Sequence, residues 1–174
     1  MSKIRRYTID EVNQMGREEF VEVFGSVFEH SPWAAEQAFE QRPFAACNEL
    51  EDSLVEAVKN SGREAQLKLL CAHPELGSRE KMAKASVREQ SAAGITKTDE
   101  ERRAKMQALN ESYRDKFDFP FIVAVKGLTP DDILANMEDR VSNSLEEEFR
   151  ECLDQVIRIA SIRLEALVSG AAEI

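Results

Sequence analysis

The histidine at position 73 is the residue of this sequence best suited to transfer a proton. His73 closes an apolar, helix-like stretch and immediately precedes Pro74. Because proline disfavours helical backbone in the residue before it, the imidazole is held in one direction, as proton transfer requires. A lone histidine is also a common helix C-cap or core residue, so both interpretations stay open. The other histidine, His30, has the character of a surface residue.

An arginine near the C-terminus lies on the apolar face of a predicted helix. On a helical wheel counted from Phe149, Arg163 falls at about −40°, whereas Arg158 falls at about 180° and faces water. A guanidinium that points at the core must be paired, because burying a lone charge costs several kcal/mol. Its partner is either a protein carboxylate or a bound anion, unless the head group reaches water at the helix end.

A glutamate at position 89 is a candidate carboxylate for acid–base chemistry. Ser86 and Glu89 also match a capping box, in which the glutamate only satisfies a backbone N–H. The short predicted helix that carries Glu89 lies in sequence between His73 and a long helix. The sequence therefore leaves open a structural and a catalytic interpretation of this carboxylate.

The apolar segment over residues 117–125 interrupts the helical pattern. Pro120 forbids a continuous helix through it, so we expect buried backbone in extended or irregular form. Buried N–H and C=O groups need partners. Neighbouring side chains could satisfy them, or the segment could offer its backbone to a polar ligand.

Cap signals recur along the chain and predict an all-α fold. Alternating strand patterns are nearly absent. No linker or repeat divides the chain, so we predict a single compact domain over residues 1–174 with about eight to ten helices. Helices are predicted over residues 8–15, 17–28, 32–41, 45–60, 62–72, 78–84, 86–93, 98–117, 130–142 and 145–168.

Composition narrows the classes of partner. The chain has 23 Lys and Arg against 33 Asp and Glu, a net charge of −10, which disfavours nucleic acid and anionic membranes. No apolar run is long enough to span a bilayer. Three unclustered cysteines suit a reducing compartment, so we expect a cytoplasmic protein. Motifs for nucleotides, serine hydrolysis or structural zinc are absent, so a catalyst here would need no metal or organic cofactor.

Several short motifs, in order along most of the chain, carry a family resemblance. They are Phe28-Glu29-His30-Ser31-Pro32-Trp33, Arg42-Pro43-Phe44, His73-Pro74-Glu75-Leu76, Ser86-Val87-Arg88-Glu89-Gln90, Asn110-Glu111-Ser112-Tyr113 and Phe119-Pro120-Phe121-Ile122-Val123. Together these motifs resemble the OHCU decarboxylases, named for 2-oxo-4-hydroxy-4-carboxy-5-ureidoimidazoline. The resemblance implies an all-α enzyme that converts OHCU to (S)-allantoin in urate breakdown, without metal or cofactor.

The resemblance also implies roles for individual residues. His73 and Glu89 match the catalytic pair of the family, and Arg163 matches its substrate-binding arginine. Further substrate-binding positions are expected at Pro74, Ser86 and Gln90, and in the backbone of Phe121, Ile122, Val123 and Ala124. The expected partner is the small molecule OHCU, and a homodimer is a further expectation because family members often form one.

The sequence departs from the usual family pattern at two loops. Gly77-Ser78 stands where Ala-Gly is common, and Asp118 stands where glycine usually precedes Phe-Pro-Phe. The alternative function, from another class, is an all-α interaction module that binds protein partners without catalysis. The presence of His73, Glu89 and Arg163 together disfavours that alternative.

Overall fold

The computed structural model of the protein describes residues 5–76 and 100–169. Within these ranges the chain forms eight helices and one isolated parallel β-bridge, between Tyr7 and Val168. The helices are α1 (Ile9–Gln14), α2 (Arg17–Phe24), α3 (Trp33–Phe39), α4 (Cys47–Lys59), α5 (Arg63–Ala72), α6 (Glu100–Phe117), α7 (Pro130–Arg140) and α8 (Leu145–Leu167). The predicted all-α fold is confirmed.

The observed helices match eight of the predicted ones. The largest difference is at the end of α2, predicted at residue 28 and observed at Phe24. The predicted helices over residues 78–84 and 86–93 lie outside the described residues. In the part of the chain that is described, no helix is both long enough and apolar enough to cross a membrane.

Cap chemistry explains where α1 and α7 begin. The Thr8 hydroxyl accepts the N–H of Glu11 at 3.2 Å, while the Glu11 carboxylate accepts the N–H of Thr8 at 3.3 Å. Thr129 and Asp132 form the same reciprocal pair at the start of α7, and Pro130 occupies the first helical position. Both starts agree with the sequence prediction.

The first of two compact units comprises Met1–Leu69 and Ile157–Ile174. Within this unit, α3 packs against both α2 and α4. The ring of Phe20 lies 4.9 Å from that of Phe24 and 5.5 Å from that of Phe39, measured between centroids. The buried rings of Phe20 and Phe24 therefore form part of its core, and the half-buried ring of Phe39 packs against Phe20.

Arg42 secures the end of α1 in the same unit. Its Nη1 donates to the carbonyls of Asn13 at 3.0 Å and Met15 at 2.6 Å, which α1 leaves without helical partners. Its guanidinium also lies 3.7 Å from the centroid of the Phe39 ring. Arg42 thus acts as a structural clamp on backbone carbonyls.

The second unit comprises Leu70–Val156. Within it α6 packs against α7. The Tyr113 ring lies 4.6 Å from that of Phe117 and 5.4 Å from that of Phe121, between centroids. Residues 119–125 are all buried and adopt no regular secondary structure, as the sequence predicts.

The boundaries between the units fall inside α5 and inside α8. Each of these helices therefore contributes residues to both units. The assignment of residues 1–174 to a single domain stays a prediction.

Candidate functional site

His73 directly follows the last residue of α5. Its backbone N–H donates to the carbonyl of Leu70 at 3.2 Å, which completes the final turn of the helix. Pro74, which lacks an N–H, prevents the helix from continuing. Only 8% of the His73 surface is exposed. Burial, the helix end and the proline together restrict the directions that the imidazole can take.

A cavity of about 200 Å³ in the second unit is lined by His73. The other residues that line it are Cys71, Glu75, Arg114, Asp118, Phe119 and Pro120. Arg114 donates to the half-buried carboxylate of Glu75 in an ion pair. The cavity therefore presents an imidazole and a cation–carboxylate pair beside an apolar wall, a set suited to a small polar molecule.

The thiol of Cys71 is a weak competitor for proton transfer in this cavity. Its Sγ donates to the carbonyl of Asp118 at 3.7 Å. Partial burial raises the pKa of the Cys71 thiol, and the nearby charge of Asp118 raises it further. The thiol therefore stays protonated at neutral pH, where an imidazole can both accept and donate a proton.

Asp118 occupies a backbone conformation that favours glycine. It follows the last residue of α6 with φ of 62°, and its N–H donates to the carbonyl of Arg114 at 2.8 Å. The family that the sequence resembles usually has glycine at this position. Aspartate is among the few residues that adopt this region without severe strain, so the departure from the family pattern preserves the turn.

Arg163 is buried on α8, with 7% of its surface exposed, whereas Arg158 is exposed. Both orientations agree with the helical wheel. The Nη1 of Arg163 donates to the carbonyls of Ser26 at 3.1 Å and Val27 at 3.3 Å. These contacts lie within the first unit. The arginine thus caps two carbonyls just beyond the end of α2.

The carboxylate that pairs with Arg163 belongs to Glu29. Arg163 Nη2 lies 3.0 Å from Oε2 of Glu29, which has no exposed surface. The Ser31 hydroxyl donates to the Glu29 carbonyl at 2.9 Å. Of the alternatives that the sequence left open for Arg163, the structure supplies a protein carboxylate. Its role in substrate binding stays a prediction.

The backbone of residues 121–124 is bound by neighbouring side chains within the second unit. The carbonyl of Ile122 accepts Nη1 of Arg140 at 2.7 Å. The N–H of Ala124 donates to Oε1 of Gln155 at 2.9 Å. Val123, between them, is buried. These two groups have the side-chain partners that the structural interpretation required, and substrate binding by this backbone stays a prediction.

A buried polar cluster in the second unit was missed by the sequence reasoning. Arg140 donates to both carboxylate oxygens of Glu148, with Nε at 3.1 Å and Nη2 at 2.9 Å from Oε2. The Tyr113 hydroxyl donates to the same carboxylate and lies 3.1 Å from Cys152 Sγ. All four residues are buried. A helical wheel of α7 would have predicted the burial of Arg140, because it lies on the same face as the buried Ile133.

Burial and charge set the protonation states in this cluster. Burial lowers the pKa of Arg140, but the hydrogen bond and charge of Glu148 outweigh it and hold the pKa above its usual value. Burial raises the pKa of Tyr113, and Cys152 and Glu148 raise it further. Burial also raises the pKa of Cys152. Arg140 is therefore charged, and the phenol and thiol are neutral.

Of the remaining predicted site residues, the structure describes only Pro74. Ser86, Glu89 and Gln90 lie outside the described residues, as do Gly77 and Ser78. Pro74 is half-buried. Within residues 5–76 and 100–169, no group of three or more His, Cys, Asp or Glu side chains is arranged to hold a metal ion.

Comparisons with known proteins give matches that cover most of the chain. A family model described as OHCU decarboxylase matches residues 13–165. The 2-oxo-4-hydroxy-4-carboxy-5-ureidoimidazoline decarboxylase of Haloferax volcanii is 46% identical over 157 residues, which are 90% of this chain and 94% of that protein. The uric acid degradation bifunctional protein PucL of Bacillus subtilis is 40% identical over 167 residues, 96% of this chain and 34% of that protein.

The fold is also similar to a solved structure. A crystal structure of (S)-allantoin synthase superimposes with a TM-score of 0.75 at 28% sequence identity. The match covers 92% of this chain and 54% of that one, so this chain spans about half the length of that structure. The motifs, the helical fold and these matches lead to one assignment. The chain belongs to the OHCU decarboxylase family.

Proposed function

We propose that the protein catalyses the stereospecific, cofactor-independent decarboxylation of OHCU to (S)-allantoin in urate breakdown. The observation that carries the proposal is the buried His73 on a small polar cavity, in a chain that the family model matches over residues 13–165. The relatives are named for this reaction or for uric acid degradation. The protein is thus a carbon–carbon lyase of purine catabolism.

The reaction sets three requirements for the protein. The bond between a ring carbon and its carboxylate breaks, CO2 leaves, and the electron pair is delocalised into the adjacent unsaturated ring system. A proton must then reach carbon from one face only, because protonation from both faces gives racemic allantoin. The protein therefore has to hold the ring, stabilise the developing charge and deliver one proton.

His73 and Glu89 act as the acid–base pair in this proposal. The position of His73 at a helix end before Pro74 supports its part, since a fixed imidazole can deliver a proton to one face. Glu89 is assigned from the family motif. General acid–base catalysis of this kind contributes about 10² to 10⁴ in rate.

Arg163 binds an anionic or carbonyl group of the substrate in this proposal. A chain with a net charge of −10 does not attract an anion over long range, so binding depends on local donors. A guanidinium supplies paired N–H donors of fixed geometry. Its contacts with Glu29, Ser26 and Val27 hold that geometry in place.

The other contacts of the substrate follow from the family pattern. Pro74, Ser86 and Gln90 are assigned to substrate binding from the family motif, and the backbone of residues 121–124 is assigned to hydrogen bonds with the ring and ureido groups of OHCU. Phe119 and Pro120 directly precede these four residues and line the cavity of His73, which supports the assignment of this backbone. The proposal also places the protein in the cytoplasm, as a homodimer. The free thiols of Cys47, Cys71 and Cys152 support the cytoplasm, because a reducing compartment keeps cysteines unbridged.

To test the proposal, OHCU is generated from urate with urate oxidase and hydroxyisourate hydrolase. The circular dichroism of the allantoin that forms is then followed over time. Spontaneous decay gives racemic product without a lasting signal. We expect the protein to produce a rapid signal of one hand and His73→Asn to abolish it. His30→Asn is the matched control, because His30 is exposed and its φ of 47° is tolerated by asparagine.

Each outcome of this experiment has a clear meaning. A one-handed signal that persists in His30→Asn and is lost in folded His73→Asn supports the reaction and its catalytic histidine. A trace from folded wild-type protein that equals the protein-free control overturns the proposal. The non-catalytic interaction module then becomes the better interpretation.

A further inference from the structure

The side chain of Arg140 links α7 to the irregular segment over residues 119–125. Its guanidinium divides its donors among three acceptors, one of which is Cys152 Sγ at 3.3 Å from Nη2. Nη1 binds the carbonyl of Ile122 at 2.7 Å, while Nε and Nη2 bind the carboxylate of Glu148 at 3.1 Å and 2.9 Å. The guanidinium also lies 4.3 Å from the centroid of the Phe121 ring. One side chain thus contacts both the backbone and a ring of this segment.

Stability alone is a weak reason to keep this ion pair. Arg140 has 7% of its surface exposed and Glu148 has none, so both charges are withdrawn from water. Replacing a buried ion pair by apolar residues of similar volume is often neutral or stabilising. What an apolar side chain cannot replace is the hydrogen bond to the Ile122 carbonyl. The pair therefore provides a fixed position for that backbone group.

Further contacts hold the arginine and the segment. The Tyr113 hydroxyl donates to the Glu148 carboxylate, and Asn143 Nδ2 donates to its Oε1 at 2.9 Å. Two residues after Ile122, the N–H of Ala124 donates to Gln155. Residues 119–125 lack the hydrogen-bond ladder of a helix or sheet. Side chains therefore set the position of this backbone.

The same segment reaches the candidate site. Its first two residues, Phe119 and Pro120, line the cavity of His73. Only Phe121 separates Ile122 from Pro120, and all of these residues are buried, so a shift of the Ile122 carbonyl would also move the cavity wall that Phe119 and Pro120 form. Because a misplacement of about 1 Å can cost about 10²-fold in rate, the position of the wall matters for catalysis.

We propose that Arg140 is a positioning residue of the decarboxylation, acting through the Ile122 carbonyl to fix the backbone that faces the substrate. The inference rests on the proposed function and extends it to a residue that the family motifs quoted above do not include. Arg140 does not touch the substrate. Its contribution is to hold one wall of the cavity in place, so that the ring of OHCU presents a single face to the proton donor.

The test compares Arg140→Met with Arg140→Lys in the full chain. Methionine removes every hydrogen bond of the guanidinium while it fills much of the same volume. The single ammonium of lysine can reach one of these acceptors but does not reproduce the planar fork. Arg42→Met is the matched control, since Arg42 also binds backbone carbonyls and an aromatic ring, but within the first unit.

Four quantities are measured for each variant: kcat for OHCU, KM for OHCU, the enantiomeric excess of allantoin, and the rate of hydrogen exchange at the amides of Val123 and Ala124. For Arg140→Met we expect faster exchange, a 10- to 100-fold loss in kcat/KM and a lower enantiomeric excess. Arg140→Lys should fall between it and wild type. Arg42→Met should lower stability while KM and enantiomeric excess stay at wild-type values.

The outcomes separate this inference from the proposed function. If wild type forms (S)-allantoin and folded Arg140→Met keeps its kcat/KM and enantiomeric excess, the positioning role is overturned and the function stands. Equal catalytic losses in Arg42→Met and Arg140→Met would also overturn it, because general destabilisation then explains both. Folded wild type without activity overturns both proposals. Should Arg140→Met not fold, Arg140→Lys decides by the same criteria.

Discussion

Glu29 and Arg163 form a buried ion pair, with Nη2 of the arginine 3.0 Å from Oε2 of the glutamate. The two side chains are 0% and 6% exposed, respectively. Because the pair is neutral as a whole, Arg163 adds little positive potential at long range. What it offers to a ligand is a guanidinium of fixed orientation, so its recognition of OHCU depends on directed hydrogen bonds.

The ion pair predicts a separation of stability from activity. We expect Arg163→Met and Glu29→Met each to lower the free energy of unfolding by about 3 kcal/mol, because each removes the opposite charge from a buried partner. The double variant Glu29→Met/Arg163→Met should lose much less than the sum. Urea unfolding measures these differences, and circular dichroism of allantoin measures activity, which should be low in all three variants.

Two results would count against this prediction. Losses of stability that simply add in the double variant would show that the two residues do not stabilise each other. A double variant that forms (S)-allantoin at the wild-type rate would show that Arg163 does not bind the substrate. Arg158→Met is the matched control, since Arg158 lies exposed on the same helix and its loss should change neither quantity.

The sequence was sufficient to predict that Arg163 is buried, but not to identify its partner. Burial follows from the spacing of apolar residues on α8, a local property of one helix. Glu29 lies 134 residues earlier, in the turn that follows α2. Its pairing depends on how distant segments pack, and nothing in the local pattern of residues 25–31 records that.

The burial of Arg140 could also be predicted from the spacing of apolar residues on its helix. Ile133, Met137 and Arg140 recur at helical spacing on α7, and all three are buried. The wheel that identified Arg163 therefore also identifies Arg140. Its acceptors, Ile122 and Glu148, come from an irregular segment and from another helix, so only the structure could reveal them.

The helix starts were predictable because caps are local chemistry, whereas one helix end was not. The pair Thr129 and Asp132 fixes the first turn of α7 through side chains that are three residues apart. In contrast, α2 ends at Phe24, and the carbonyls of Ser26 and Val27 bind Arg163 from the far end of the chain. Beyond Phe24 the chain is therefore held by a residue distant in sequence, which a local pattern does not show.

Asp118 provides a test of backbone strain at the cavity. Its φ of 62° lies in the left-handed region, where a glycine carries no steric penalty. We expect Asp118→Gly to raise the free energy of unfolding by about 0.5 kcal/mol, and Asp118→Ala to lower it by about 1 kcal/mol. Urea unfolding of the three proteins measures the order. An alanine variant as stable as the glycine variant would contradict the account of this turn.

The thiol of Cys71 reports on the cavity directly. Burial and the charge of Asp118 raise its pKa, so its thiolate fraction at a given pH is below that of an ordinary cysteine. We therefore expect iodoacetamide to modify Cys71 more slowly than a cysteine in a short peptide between about pH 7 and 9, with a rate that still rises at higher pH. Mass spectrometry of the Cys71 peptide measures this rate.

Binding of the reaction product should protect this thiol. Cys71 lines the same cavity as His73, so saturating (S)-allantoin is expected to slow its alkylation severalfold. Cys47, which is half-buried and lies in the first unit, provides an internal control whose rate should not change. Equal slowing of Cys47 and Cys71 would indicate a general stabilisation of the fold by ligand. Unchanged alkylation of Cys71 at saturation would mean that the product binds away from this cavity, and the part of His73 in catalysis would then lose its structural support.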